Sequence, residues 1–358
     1  MAEPFGTAWG DRYSRQIRFA PIGEAGQREL AGASVLIVGV GALGAALAQH
    51  MVRAGVGEVR LVDRDFVEAS NLQRQTLFDE ADAMAALPKA VAAASKLRAI
   101  NGDVRVEARV ADVNEANAAE LADGARLVLD GTDNAATRLL LSDVCFRARI
   151  PFIYGGVAGA QGMSAALLPG ETSCLRCLIG DADEGGDTCD TVGVLAPAVE
   201  FIASLQAAEA LKWLTGNKDA MRRTWLSADL WSFRLRESAM PGGRADCPHC
   251  GAAETLPESA AAGAGGRPEE EISSAALCGR DTVQVTLGKP LPLDRLEQEL
   301  RSRGCELTVN RYLIRARLGS GETLVLFPDG RALVQGTADA AHAVRLCEAY
   351  VLGRKLPV

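Results

Sequence analysis

At 358 residues the chain has room for one large domain and a second, smaller one, and 48% hydrophobic against 23% charged residues, with 37 Gly and 14 Pro, is the balance of a globular α/β protein rather than a disordered or fibrous one. A net charge of -8 provides no broad basic field, which excludes a nucleic-acid partner held by phosphate attraction. No basic start leads into an apolar run, and the longest apolar stretches are interrupted by Glu200, Gln206, Glu209 and Lys212, so neither a leader nor a membrane span is expected and the cytoplasm is the default location.

Residues 12–30 mix Arg with apolar positions without strand alternation and read as one or two short helices. The run 34–38 is continuously β-branched or leucine and ends at Gly39, the pattern of a parallel strand buried on both faces. A helix over 42–54 and a strand over 58–63 complete a β-α-β unit, and an Ala-rich helix is predicted over 83–100. Strands at 104–110, 127–130 and 151–155 and a helix over 137–149 continue the alternation, which predicts a Rossmann-like, doubly wound parallel sheet. Beyond it come a strand at 164–168, a loop over 170–191 rich in Cys, Gly and Asp, and a long amphipathic helix over 197–214 that carries core or dimer contacts. Residues 251–271 lack any apolar period and read as a linker. It divides a domain over 1–250 from a small α+β domain over 272–358, with strands at 281–287, 306–309, 312–318 and 323–327 and helices at 293–303 and 338–350.

Gly39, Gly41 and Gly44 form a Gly-x-Gly-x-x-Gly loop between a predicted strand and helix, where missing side chains permit a tight turn and close approach of backbone N–H groups to phosphate. Asp63 ends the next strand, about twenty residues on, where a carboxylate accepts from ribose hydroxyls. These features alone suit a nicotinamide dehydrogenase as well as an ATP enzyme. The segment 65–75, with Asp65, Asn71 and Arg74, together with Lys89 and the strand-end pair Asp133 and Asn134, separates the two, because converging cations suit a triphosphate that loses pyrophosphate.

Cys174 and Cys177, then Cys247 and Cys250, are two Cys-x-x-Cys pairs about seventy residues apart. Two such pairs complete a tetrahedral site with no open position, so structural Zn²⁺ is expected, stapling the end of the first domain to its middle. His249 lies inside the second pair but is surplus to four thiolates. Cys145, Cys305 and Cys347 read as core cysteines, and Cys278 is ambiguous.

With these motifs in order over about residues 10–251, including Arg12, Arg15 and Gln16 near the start and Pro88 before Lys89, the chain resembles the ThiF/MoeB/HesA family, prokaryotic relatives of ubiquitin-activating enzymes. The resemblance implies that Asp63 holds the ATP ribose, that Asn71, Arg74 and Lys89 engage the phosphates, and that Asp133 ligates Mg²⁺. Arg15 is similar to the family arginine that enters the neighbouring subunit's active site, which implies a homodimer; a solvated helix face is the alternative. Cys189 matches the family cysteine that forms a thioester or acyl-disulfide with the activated carrier, and a plain loop cysteine is the alternative there.

The implied activity is ATP-dependent adenylation of the C-terminal glycine carboxylate of a small ubiquitin-like sulfur carrier of the ThiS or MoaD type, in sulfur incorporation for thiamine, molybdopterin or a related product. Activation of a peptide or ubiquitin-like modifier for conjugation is the alternative chemistry; a noncatalytic carrier-binding scaffold is disfavoured by Arg74, Lys89 and Asp133. Residues 272–358 lack the cysteine loop of an appended sulfurtransferase, so a separate sulfur donor is expected, and this domain is expected to dock the carrier or a downstream partner.

Overall fold

The computed structural model describes residues 7–180, 189–251, 272–276 and 281–354; the predicted linker, from residue 252 onward, and Cys278 lie outside them. The chain separates into two compact units, Met1–Glu80 with Pro88–Pro257, and Ala81–Leu87 with Glu258–Val358.

In the larger unit, helices α1 (Thr7–Arg12), α2 (Ser14–Arg18) and α3 (Gly23–Ala31) precede β1 (Ser34–Val38), α4 (Ala42–Ala54) and β2 (Glu58–Asp63). Next come α5 (Glu80–Met84), whose residues group mainly with the second unit, then α6 (Lys89–Ile100), β3 (Arg105–Val110), α7 (Ala118–Ala122), β4 (Leu127–Asp130) and α8 (Ala135–Ala148). The unit closes with β5 (Phe152–Ala158), β6 (Gln161–Leu167), α9 (Leu175–Ile179), α10 (Cys189–Val192), α11 (Ala196–Leu214), β7 (Thr224–Asp229) and β8 (Arg234–Ala239).

The eight strands form one sheet in the order β3-β2-β1-β4-β5-β6-β7-β8. Its first five strands are parallel, with Ile37 opposite both Leu61 and Leu129, and strand order reverses between β1 and β4, where open α/β sheets bind their ligands. The predicted parallel architecture ends at β5, since β5 through β8 pair antiparallel. β7 and β8 are additions to the elements read from sequence; β8 is exposed along its whole length and carries no buried stripe.

One predicted helix is corrected and another is found where it was expected. The expected helix 83–100 is two helices: Ala86 adopts φ 47° and Pro88, which has no N–H and restricts the residue before it, caps a new helix beginning at Lys89. The break gives Lys89 the first position of α6, where its N–H bonds the Asp65 carbonyl at 2.9 Å. The helix expected over 197–214 is α11, which buries one face, including Val199, Ile202, Ala203 and Ala207, against α4, β5 and β6 and leaves Ser204 and Ala208 exposed. Its buried polar side chains are braces: Gln206 Nε2 donates to the Asp130 and Ile153 carbonyls at 2.9 and 3.1 Å, and the Glu209 carboxylate accepts from Lys212 Nζ and Arg222 N. The N-terminal helices are tied to the end of α4, where Gln16 and Gln27 donate to the Ala54 carbonyl and Asn101 bridges Tyr13 Oη and the Val52 carbonyl.

The smaller unit is a six-stranded antiparallel sheet, β11-β12-β13-β14-β10-β9, made of β9 (Ser273–Ala276), β10 (Thr282–Thr286), β11 (Glu306–Asn310), β12 (Leu313–Arg317), β13 (Thr323–Leu326) and β14 (Arg331–Gln335). Helices α12 (Leu293–Ser302) and α13 (Ala340–Tyr350) close one core, in which Val283, Val285, Ile314 and Leu326 meet Leu296, Leu300, Leu346 and Cys347. The four strands and two helices read from this part of the sequence are present; β9 and β14 are added. Among the described residues no helix is long and apolar enough to cross a membrane.

Candidate nucleotide site and cysteine centre

The glycine loop joins β1 to α4 at the carboxyl edge of the parallel strands. Gly39 has φ 80°, and a Cβ on Gly44 would lie 1.8 Å from the Gly39 carbonyl, so the loop closes this tightly only without side chains. At Gly41 the nearest atom to an added Cβ is Gln75 Nε2 at 3.7 Å, which leaves the backbone approachable. Asp63, at the tip of β2, is buried and binds the loop through Oδ2, which accepts from Val40 N at 2.6 Å; Oδ1 accepts from Asp65 N at 2.7 Å. Burial raises the Asp63 carboxyl from its ordinary value, against the pull of Lys89.

Charges alternate around this edge. Lys89 Nζ lies 3.1 Å from Asp65 Oδ2 with only 5% of its side chain exposed, and Arg64 Nη1 lies 3.1 Å from Asp112 Oδ1. Burial works against the charge of Arg64, but Asp65, Asp112 and Asp133 together outweigh it. Asp133 is exposed in the turn between β4 and α8, and Asn134 caps α8, its Oδ1 accepting from Thr137 N at 2.9 Å. Asn71 is buried as part of a capping box, with Oδ1 accepting from Glu68 N at 3.1 Å and its carbonyl accepting from Arg74 N and Gln75 N. Arg74 turns back on the same segment, Nη1 to the Ser70 carbonyl at 2.9 Å.

Asp63, Asp65, Lys89 and Asp133 are thus linked by hydrogen bonds, ion pairs and mutual fields, with Arg64 as the connecting cation. Arg74 and Asn71 are held by their own helical turn, and Arg15 is exposed on α2 with no hydrogen bond or ion pair among the described residues. Cys189 opens α10; its side chain lies outside the described residues.

Sequence reading missed the buried framework beneath this surface. Asp130, wholly buried, accepts from Thr132 N and Oγ1 on one oxygen and from Arg138 Nε, at 3.1 Å, on the other. Burial raises its carboxyl, and Arg138 opposes that shift. The signal was present but weak: an arginine one helical turn beyond Asn134 and eight residues beyond a strand-end aspartate.

The four cysteines converge. Cys174, Cys177, Cys247 and Cys250 place all their sulfurs within 4.8 Å of one another, with Cys174 to Cys247 at 3.8 Å and Cys177 to Cys250 at 3.7 Å. A tetrahedron of Zn–S bonds of about 2.3 Å has S···S edges of about 3.8 Å, so the donor set fits zinc in both chemistry and span. Burial raises Cys174, and with neighbouring thiols holds Cys177 at about 11; at Cys247 burial is overcome by the N–H groups of His249 and Cys250, which bring it to about 7. Asp143 on α8 ties both knuckles: Arg176 donates to it from Nε and Nη2, and His249 Nδ1 lies 3.1 Å from its Oδ1, which accounts for a histidine that is no ligand.

The ThiF family model matches residues 13–249. The chain is 43% identical over 343 residues to the Sulfur carrier protein ThiS adenylyltransferase of Bacillus subtilis, covering 95% of this chain and 99% of that protein. It is 39% identical to the SAMP-activating enzyme E1 of Haloferax volcanii and 38% identical to the Molybdopterin-synthase adenylyltransferase of Escherichia coli, each over 67% of this chain and over 88% and 96% of those proteins. Among solved structures, E. coli MccB with MccA-N7isoASN superposes with a TM-score of 0.60 at 21% identity over 70% of this chain and 77% of that one, a likeness of fold. The strand-end loop, the four-cysteine centre and the extent of these matches agree that the chain belongs to the ThiF family.

Proposed function

We propose that this protein is an ATP-dependent adenylyltransferase that activates the C-terminal glycine carboxylate of a small ubiquitin-like sulfur carrier of the ThiS or MoaD type and releases pyrophosphate. The observation that carries the reading is the gathering of Lys89, Asp65, Asp63 and Asp133 around a side-chain-free loop, in a chain that aligns with a ThiS adenylyltransferase over nearly the full length of both.

Asp63 has both oxygens engaged by backbone N–H groups but keeps acceptor capacity for ribose hydroxyls, and N–H groups of the Gly41 turn are free to approach phosphate. Lys89 and Arg74 supply positive charge to the phosphates, and Asp133 would hold Mg²⁺, which contributes charge neutralisation when bound. The nucleophile is a carboxylate whose ordinary pKa is about 3.3–3.7, so it needs no general base at neutral pH. Its oxygen attacks the α-phosphorus, the bond to the bridging oxygen breaks, and that electron pair leaves with pyrophosphate; what the protein must supply is alignment of two anions and compensation of charge on the leaving group. Zn²⁺ at the four cysteines is structural, since all four sulfurs are consumed.

The protein works as a cytoplasmic homodimer in which Arg15 serves the neighbouring subunit's site, with sulfur brought by a separate donor and Cys189 available as a covalent acceptor. Residues 272–358 form an accessory domain that docks the carrier or the next partner. Incubation of the purified protein with ATP, labelled pyrophosphate and candidate carriers tests the reading: exchange should require a carrier ending in diglycine, and NAD reduction without such exchange would sink it. The likeness to a SAMP-activating E1 favours one second reading, conjugation of a modifier. Mass spectrometry of the carrier separates them, a thiocarboxylate marking sulfur transfer and an amide bond marking conjugation.

A further inference from the structure

Arg138 sits in the first turn of α8, five residues after Asp133, and all but one of its guanidinium nitrogens are committed. Nε is 3.1 Å from Asp130 Oδ2, Nη2 donates to the Thr132 carbonyl, and Cζ lies 5.5 Å from the Tyr154 ring centroid; Tyr154 is itself stacked on Trp225 at 4.9 Å. The carboxylate that holds it cannot turn away, because Asp130 is fully buried and its second oxygen is bonded by Thr132 N and Oγ1 at 2.9 and 2.8 Å.

The remaining nitrogen, Nη1, makes no hydrogen bond among the described residues. It differs from the unsatisfied guanidinium nitrogens of Arg60, Arg222, Arg223 and Arg331, which are sealed from solvent. Arg138 keeps 16% of its side chain exposed, and what stands beside Nη1 is Gly156. A Cβ on Gly156 would lie 3.5 Å from Nη1 and 2.9 Å from Tyr154 Oη, so only glycine lets the backbone pack this closely against the ring hydroxyl beside Nη1. β5 runs parallel to β4 and continues to Ala158, past the end of β4 at Asp130, so Gly156 and the nitrogen beside it lie at the same edge of the sheet as the glycine loop and Asp133.

We infer that Arg138 is a catalytic residue whose Nη1, held beside Gly156, receives the carboxylate that is to be adenylated. The inference rests on the adenylation reading above. Sheet order supports the assignment of ligand: the phosphate-binding loop follows β1, whereas Arg138 lies on the far side of β4, toward β5, so that a nucleophile held there and a nucleotide held at β1 flank Asp133 from opposite sides. A guanidinium fixed in advance offers a charge-assisted hydrogen bond without reorganisation during the reaction. It also offsets the repulsion between the entering carboxylate and the α-phosphate, the main obstacle in a reaction between two anions.

The test uses the full-length enzyme and ThiS of Bacillus subtilis in two forms, one ending in its glycine carboxylate and one in the carboxamide. Arg138→Lys keeps a cation opposite Asp130 but has one nitrogen, which cannot both hold Asp130 and reach a carboxylate from the position of Nη1. The double variant Asp130→Asn with Arg138→Gln leaves no buried charge unpaired, should the lysine variant fail to fold. Dissociation constants measured with a non-hydrolysable ATP analogue present should show a preference of roughly tenfold or more for the carboxylate form in the wild type, falling to about one in both variants. Carrier-dependent exchange should drop on the order of 10²–10³-fold in kcat, with the KM for ATP and the melting temperature little changed. A folded variant that keeps the wild-type carboxylate preference overturns the inference and reduces Arg138 to a brace, leaving adenylation intact. Absence of exchange by the wild type with any glycine-ended carrier overturns both.

Discussion

Two clusters in the larger unit gather residues far apart in sequence, and they do so by opposite means. Asp63, Lys89 and Asp133 stand at strand ends and helix starts, positions that the parallel sheet fixes before any side chain is consulted. Cys174 and Cys177 flank the start of the short helix α9, and Cys247 and Cys250 lie beyond β8, where the described residues form no further helix or strand up to residue 251. One cluster is presented by the sheet; the other joins a buried helix start to a segment without helix or strand. A side chain removed from the first should therefore cost chemistry and spare structure, and a side chain removed from the second should do the reverse.

The largest effect tests the first half of that contrast. Lys89→Ala removes a buried cation from the strand-end edge, where the proposed function puts the phosphates, but leaves Asp65 partly solvated, with 19% of its side chain exposed. Carrier-dependent pyrophosphate exchange should fall by about 10²–10³, or about 2.7–4 kcal/mol in the barrier, while the thermal midpoint moves by no more than a few degrees. Exchange within tenfold of wild type would mean that the phosphates are not held at this lysine.

Cys177→Ser should reverse the pattern. Metal analysis should show zinc falling from about one per chain toward zero, and the melting temperature should drop by roughly 5–10 °C, because metal binding is folding energy and 1 kcal/mol moves a unit of this size by about 2–4 °C. Exchange measured at low temperature should survive in proportion to the folded fraction. Full zinc occupancy in this variant would break the contrast by showing that the remaining three sulfurs suffice.

What the sequence disclosed follows the same division. The cysteine centre was readable from spacing alone, since two Cys-x-x-Cys pairs leave zinc few rivals, and the glycine loop was readable because it must follow a strand and open a helix. The buried layer was not readable. Arg138, Asp130 and Gln206 are ordinary residue types at unremarkable spacings, and they acquire meaning only when β4, β5 and α11 are brought together. The split at Ala86 was legible in Pro88, which lacks an N–H and breaks the run, but the Ala-rich stretches on both sides of it outweighed that one residue; only the structure shows that the helix restarting at Lys89 lets its side chain reach Asp65. β8 was hidden for the opposite reason, since an edge strand with no buried side loses its period-two signal.

The smaller unit supplies a third case, in which an ion pair neither builds a site nor holds a loop together, and its effect should be the smallest. Glu322 Oε1 lies 2.8 Å from His342 Nε2, joining the start of β13 to the first turn of α13. The Ser320 hydroxyl, followed by His342, lowers the Glu322 carboxyl from 4.5 to about 2. Because the folded value lies below the unfolded one, the ionised form stabilises the fold at neutral pH, and that contribution is lost as pH falls from about 4.5 toward 2. The pair lies near the surface, where solvent screening holds such contributions to no more than about 1 kcal/mol. Urea melts of the full chain should therefore show Glu322→Gln slightly less stable than wild type at pH 7, with the gap closing as pH is lowered through that window. A gap that persists at the acid end would assign the loss to packing around β13 rather than to charge, and would place this contact with the structural ties of the cysteine centre instead of apart from both clusters.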